Sequence, residues 1–146
     1  MASCTFFGHR NCKKSVAELI RIYLIGIIEN EGYDTFYLGN QGDYDGMVLE
    51  VLRELSEVYP HIRYSVVLAY HPSIREPVGI RPDETIFPEE LVGIHPRFAI
   101  DKRNRYMLTV SECVMSYAMT AGGAMKFTEM AAKQGKYVIN LADLET

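Results

Sequence analysis

Apolar residues recur along this chain in two rhythms that alternate from one end to the other. In residues 13–31 the apolar positions are Val16, Leu19, Ile20, Tyr23, Leu24, Ile27 and Ile28. They recur at i, i+3, i+4 and i+7, which predicts a helix buried along one wide face, and Gly32 follows as a stop. A second helix carries Val48, Val51, Leu52, Leu55 and Val58 inward and ends before Pro60. A third is predicted over 98–110, with Ile100, Met107 and Leu108 inward. A fourth carries Met125, Phe127, Met130 and Ala131 and stops at Gly135. Between these helices lie short apolar runs at 3–8, 35–38, 63–70, 113–119 and 137–142. They are too short for helices and rich in the residue types that strands favour.

Five strands alternating with four helices predict a three-layer, Rossmann-like α/β fold. Its mainly parallel five-stranded sheet has helices on both faces and right-handed crossovers. With no repeat and no linker, residues 1–146 read as a single domain. One segment breaks the rhythm. Residues 71–97 hold five of the six prolines and an acidic middle, DETIFPEELVG, able to form one short strand or turn. So long an excursion is either a functional lid or a surface insertion.

Parallel sheets of this kind bind ligands beyond the carboxyl ends of their strands, and the unusual polar turns of this chain fall at such ends. Gly8, His9 and Arg10 follow the first strand, and Gly39, Asn40, Gln41, Gly42 and Asp45 follow the second. Gly122 and Gly123 follow the fourth, with Lys126 one turn into the next helix. A strand, a glycine turn and a helix start expose unpaired N–H groups and the positive end of a helix dipole to an anion. The same glycine pair would also let the helix pack closely on the sheet, so the sequence leaves both readings open.

The remaining bulk properties narrow the function. A net charge of −4 and a pI near 5.6 argue against broad nucleic-acid binding, so nucleic acid is not the expected partner. Cys4, Cys12 and Cys113 show no paired metal-ligand spacing, so neither a metal nor a cofactor is expected, and the setting reads as reducing and cytoplasmic. The most apolar segment, 20–28, is too short to cross a membrane and is interrupted by Arg21.

The turns carry a resemblance. Gly8-His9-Arg10, the GNQGDYD turn (residues 39–45) and the late Gly122-Gly123 resemble the Rossmann-like superfamily that groups the Smf/DprA and LOG proteins (SLOG). The likeness covers almost the whole chain. The nearest look is to small stand-alone bacterial and phage proteins of the YpsA/YoqJ type. LOG phosphoribohydrolases carry MHERKxxM followed by PGGxGTxxE. Here IDKRNRYM (residues 100–107) places Arg103 and Met107 on the first motif. In the second, Gly122 and Gly123 match the paired glycines and Glu129 the terminal Glu. Met125 and Lys126 replace the motif's Gly and Thr, and Ala121 its Pro. GNQGDYD looks like the GGAxGxD turn of the DprA and YpsA-type branch, keeping Gly39 and Asp45.

The resemblance implies a nucleotide or nucleotide-derived small molecule as ligand, sensed or sequestered, and it implies self-association. Arg103 is suited to phosphate as a forked donor, with a surface ion pair as its plainer role. Glu129 would either hold a ribose hydroxyl or, in the alternative LOG-like reading, stabilise an oxocarbenium ion while a nucleoside 5′-monophosphate loses its base. In that hydrolase reading Arg103 and Glu129 are the catalytic pair. The altered glycine motif favours binding over cleavage.

Overall fold

The computed structural model describes residues 2–145. Six parallel strands form one sheet: β1 (Ala2–Gly8), β2 (Tyr33–Leu38), β3 (Arg63–Val67), β4 (Thr85–Ile86), β5 (Cys113–Tyr117) and β6 (Tyr137–Asn140), in the spatial order β4-β3-β2-β1-β5-β6. The helices are α1 (Val16–Glu31), α2 (Asp43–Val58), α3 (Pro96–Thr109) and α4 (Gly123–Lys133). Alternation along β1 divides the core between two layers. Cys4 and Phe6 face a cluster with Val16, Ile20 and Leu24 of α1 and Val48 and Leu52 of α2. Phe7 points the other way, against Met107 of α3 and Phe127 of α4, and its ring stacks on Phe127 at 5.3 Å between centroids. Helices therefore cover both faces, as the alternating pattern predicts.

The strand order runs outward from β1 in both directions. The chain adds β2, β3 and β4 on one side, then crosses back to place β5 and β6 on the other. Register is set by Cys4 opposite Cys113 and Gly8 opposite Tyr117 on one flank of β1, and by Thr5 opposite Tyr37 on the other. A crevice consequently opens at the carboxyl end of β1, where the direction of winding reverses.

The sheet has six strands where the sequence predicts five. The additional one, β4, is two residues long and pairs with Val66 and Val67 at the sheet edge. It falls in the acidic middle, DETIFPEELVG, where the sequence allows one short strand or turn. Two residues cannot display an alternating pattern, so the tertiary pairing decides for the strand. Several ends also come earlier than predicted, because side chains take over from the ladder. After β5, the Ala118 N–H donates to Asn140 Oδ1 (3.1 Å) and the Met119 N–H to His9 Nε2 (2.9 Å). Asn140 then accepts from the Ala142 N–H (3.2 Å), turning the end of the predicted last strand into a 3₁₀ turn over Leu141–Leu144.

Residues 71–97 have more regular structure than their prolines suggest. They hold β4 and two 3₁₀ turns, Pro82–Glu84 and Glu89–Leu91. Glu84 anchors the segment. Its side chain is 2% exposed and accepts from Arg53 Nε (2.8 Å) and Nη2 (2.7 Å), from the Tyr64 hydroxyl (2.6 Å) and from the Arg81 N–H (2.9 Å). The Arg53 hydrogen bonds are the largest cause holding the Glu84 carboxyl well below the usual carboxylate range, at about 2. A folded-state value below the unfolded 4.5 means stability that is complete above pH 4.5 and lost as pH falls toward 2. We expect Glu84→Gln to cost about 2–3 kcal/mol at pH 7, since a half-exposed Arg53 loses its charged partner. In urea titrations the gap between wild type and variant should close as pH falls below 4.5. A gap independent of pH would show that shape, and not charge, anchors the segment.

Candidate functional site

Three turns meet at the crevice, and two are fastened together by glycines that tolerate no side chain. A Cβ on Gly8 would lie 2.0 Å from Cγ of Tyr44. That tyrosine is fully buried in the first turn of α2, and its hydroxyl donates to the Met115 carbonyl of β5 (2.9 Å). Gly42 has φ of 95°, and a Cβ there would sit 2.5 Å from Arg10 Cα. The adjoining Asp43 N–H donates to the Arg10 carbonyl at 2.8 Å, and Asp43 Oδ2 accepts from the Cys12 N–H at 3.1 Å. The turns after β1 and β2 thus form one rigid lip.

Beneath this lip lies a buried arginine. Arg103 is 2% exposed. Its Nη1 donates to the Val67 carbonyl at the end of β3 (3.1 Å) and to Asn40 Oδ1 (3.4 Å), and its Nε to Asn104 Oδ1 (2.8 Å). Among the described residues no hydrogen bond uses its Nη2. Gly39 makes room for the group: a Cβ there would come within 2.8 Å of Arg103 Nη1 and 2.9 Å of Asp45 Oδ2. Asp45 is buried and accepts from the Gln41 N–H (2.8 Å).

Arg103 and Asp45 line a cavity of about 220 Å³, together with Phe7, Arg10, Gln41 and Gly123. The remaining wall is the start of α4. The first intrahelical bond there runs from the Lys126 N–H to the Gly122 carbonyl (2.9 Å), so the preceding N–H groups of the helix have no partner within it. A Cβ at either Gly122 or Gly123 would meet nothing within 4 Å. Close helix-to-sheet packing therefore does not explain this pair. At Gly122 a φ of 146° supplies the conformational reason for glycine.

Of the residues predicted from sequence, Gly8, His9, Arg10, Gln41, Asp45, Arg103 and Gly123 line the cavity. Gly39, Asn40 and Gly42 support it from behind, and Gly122 caps α4 outside it. His9 is a brace, with Nε2 accepting from Met119 and its ring edge-on to Tyr117 at 6.1 Å. Lys126 is committed elsewhere. Its Nζ pairs with Asp101 at 2.8 Å, and the same carboxylate takes Arg105 Nε at 2.6 Å. Glu129 is exposed on α4 and is not among the cavity residues. Arg103 does not form the surface ion pair with the acidic loop that was its plainer role. Sequence reasoning missed Asn104, which orients Arg103. The signal was present, because Ile100, Arg103, Asn104 and Met107 all line the cavity and fall at i, i+3, i+4 and i+7.

Burial pushes the Asp45 carboxyl up to about 6, opposed by the charge of Arg103 and by the Gln41 N–H. A folded-state value above the ordinary 3.8 means that this group favours folding below pH 3.8, and that the contribution is lost as pH rises through 6. We expect Asp45→Asn to gain on wild type by up to about 3 kcal/mol between pH 4 and pH 7.5. Urea denaturation at several pH values measures this, and a constant difference would show that Asp45 stays ionised throughout.

Neither a protein-family model nor a curated protein sequence matches this chain. Among solved structures, it is similar to DNA processing protein A from Helicobacter pylori, described for a single-stranded DNA binding mode. The TM-score is 0.61 at 12% identity, over 94% of this chain and 63% of that one. This chain thus spans somewhat less than two thirds of that protein. The likeness is one of fold, an α/β architecture of Rossmann-like type. It corrects the expectation drawn from net charge that nucleic acid is not a partner: a protein described as binding single-stranded DNA is built on this same fold.

Proposed function

We propose that this protein binds a nucleotide or a nucleotide-derived ligand at the carboxyl rim of its sheet, with a phosphate in the cavity between Arg103 and the start of α4. The observation that carries this reading is the state of Arg103. A guanidinium taken out of water is costly unless its donors are paired. Here one nitrogen makes no hydrogen bond to a described residue and is not sealed from solvent, in a residue that shares its cavity with Asp45 and with unpaired helix N–H groups. Phosphate supplies the missing acceptors to both walls. The exposed Arg10 stands on the same cavity and adds a third donor. The nucleoside part follows from the resemblance of the turns to the SLOG superfamily. The phosphate of a single-stranded nucleic acid has the same chemistry, and the likeness to a DNA-binding protein keeps it in view.

Binding is favoured over cleavage of the N-glycosidic bond by the position of Glu129. A carboxylate that stabilises an oxocarbenium ion has to face the sugar, and this one is exposed on α4 outside the cavity lining.

Calorimetry with purine and pyrimidine nucleoside 5′-monophosphates, the parent nucleosides, and short single-stranded DNA with and without a 5′-phosphate tests the reading. Phosphorylated ligands should bind at least about tenfold more tightly than their unphosphorylated forms, the scale of one charge-assisted hydrogen bond. Arg10→Ala should weaken them by about three- to tenfold without loss of stability, because Arg10 is exposed. Nucleosides binding as well as nucleotides would sink the phosphate assignment, and preference for the oligonucleotide over every mononucleotide would name nucleic acid as the ligand.

A further inference from the structure

Gln41 belongs to two concavities. Beside the phosphate cavity, beyond the ends of β2 and β3, lies a second of about 300 Å³, lined among others by Asn40, Gln41, Tyr70, Arg75, Glu76 and Val78. Its chemistry differs from its neighbour's in balance. The first cavity sets two guanidiniums, Arg10 and Arg103, and the helix N–H groups around a single carboxylate, Asp45. The second sets one guanidinium, Arg75, beside an aromatic ring, two side-chain amides and the Glu76 carboxylate.

The aromatic face is built rather than incidental. The Arg75 guanidinium lies over the Tyr70 ring, with Cζ 4.3 Å from the centroid. Among the described residues, no ion pair engages Arg75. The turn that delivers it is fixed at its start by His71. Its carbonyl accepts from the Arg75 N–H (3.1 Å), its Nδ1 accepts from the Ser73 N–H (3.0 Å), and its ring stands edge-on to Phe87 at 5.5 Å. The Tyr70 hydroxyl reaches the Pro96 carbonyl at 3.5 Å, at the first residue of α3. A guanidinium set over an aromatic ring, at the edge of a partly apolar slot, suits a third planar group.

We propose that this second cavity is a nucleobase subsite. In it a base carrying N–H donors on its edge stacks with the Tyr70–Arg75 pair and donates to Glu76. The inference rests on the phosphate reading of the first cavity. The two cavities share Gln41, so one nucleotide can place its phosphate against Arg103 and α4, its ribose across Gln41 and its base in the second slot. Guanine matches the slot best, because its ring N–H and amino group form a paired donor edge for one carboxylate. Hypoxanthine lacks that amino group.

The test is calorimetric titration of guanosine 5′-monophosphate, inosine 5′-monophosphate and ribose 5-phosphate into wild type, Tyr70→Leu, Arg75→Ala and Glu76→Gln. Wild type should prefer guanosine monophosphate to ribose 5-phosphate by about tenfold or more, the scale of one base–aromatic stack. Tyr70→Leu should remove about that factor and leave ribose 5-phosphate unchanged. Arg75→Ala, at an exposed position, gives the same readout in a smaller degree should the tyrosine variant be poorly folded. Glu76→Gln should level the preference for guanosine over inosine monophosphate. If ribose 5-phosphate binds but the base adds nothing, or if Tyr70→Leu and Arg75→Ala weaken all three ligands alike, the subsite is overturned while the phosphate site stands. If neither ribose 5-phosphate nor guanosine monophosphate binds, the phosphate reading falls and the subsite falls with it.

Discussion

The buried guanidinium of Arg103 is the constraint on which the rim depends. Removing such a charge from water costs several kcal/mol, which is recovered only through well-placed acceptors and countercharge. The acceptors come from separate parts of the chain: the Val67 carbonyl ending β3, Asn40 after β2, and Asn104 beside it on α3. Asp45, in the first turn of α2, supplies nearby negative charge. The layer that contains α3 is thereby tied to the turn that starts α2, across the carboxyl edge of the sheet. The same constraint leaves a cationic wall with donor capacity unspent, which gives the cavity its character.

The glycines of the rim serve different physical ends. Gly8 and Gly39 are small because Tyr44 and the Arg103–Asp45 pair occupy the space that a side chain would fill. Gly42 has both reasons, since its φ is positive and Arg10 lies against it. Gly122 and Gly123 face open space, and only backbone conformation and access to the N–H groups of α4 account for them. Two kinds of glycine thus make one site: those that hold the lip rigid, and those that leave the helix start uncovered.

Charge reads differently at different scales. The whole chain is acidic, at −4. Individual charges are committed locally: Glu84 to Arg53 and Arg81, Asp101 to Lys126 and Arg105, Glu54 to Arg21. Arg10 and Arg103 at the cavity are outside those pairs. Net charge governs long-range attraction and is screened within about 10 Å at ordinary ionic strength. It therefore says little about what a recessed cationic cavity accepts.

The sequence by itself determined the order of helices and major strands, because burial of a helix face or a strand face imposes periods of 3.6 and 2 that survive in the residue pattern. It also determined that the polar turns share one rim, since parallel strands with crossover helices put every β-to-α turn at the same edge. Seven of the named turn and helix residues do line one cavity. Other features were decided only by tertiary structure. A two-residue strand such as β4 exists through its partner Val66–Val67 alone. Whether Lys126 faces a ligand or Asp101, and whether Glu129 faces the cavity or solvent, depends on how α4 is rotated and what α3 sets against it. A motif spacing places residues along a helix but not the helix against its neighbours. The second cavity combines Tyr70 and Arg75, from the connection after β3, with Gln41 from the turn after β2. Such proximity across loops leaves no period in a sequence.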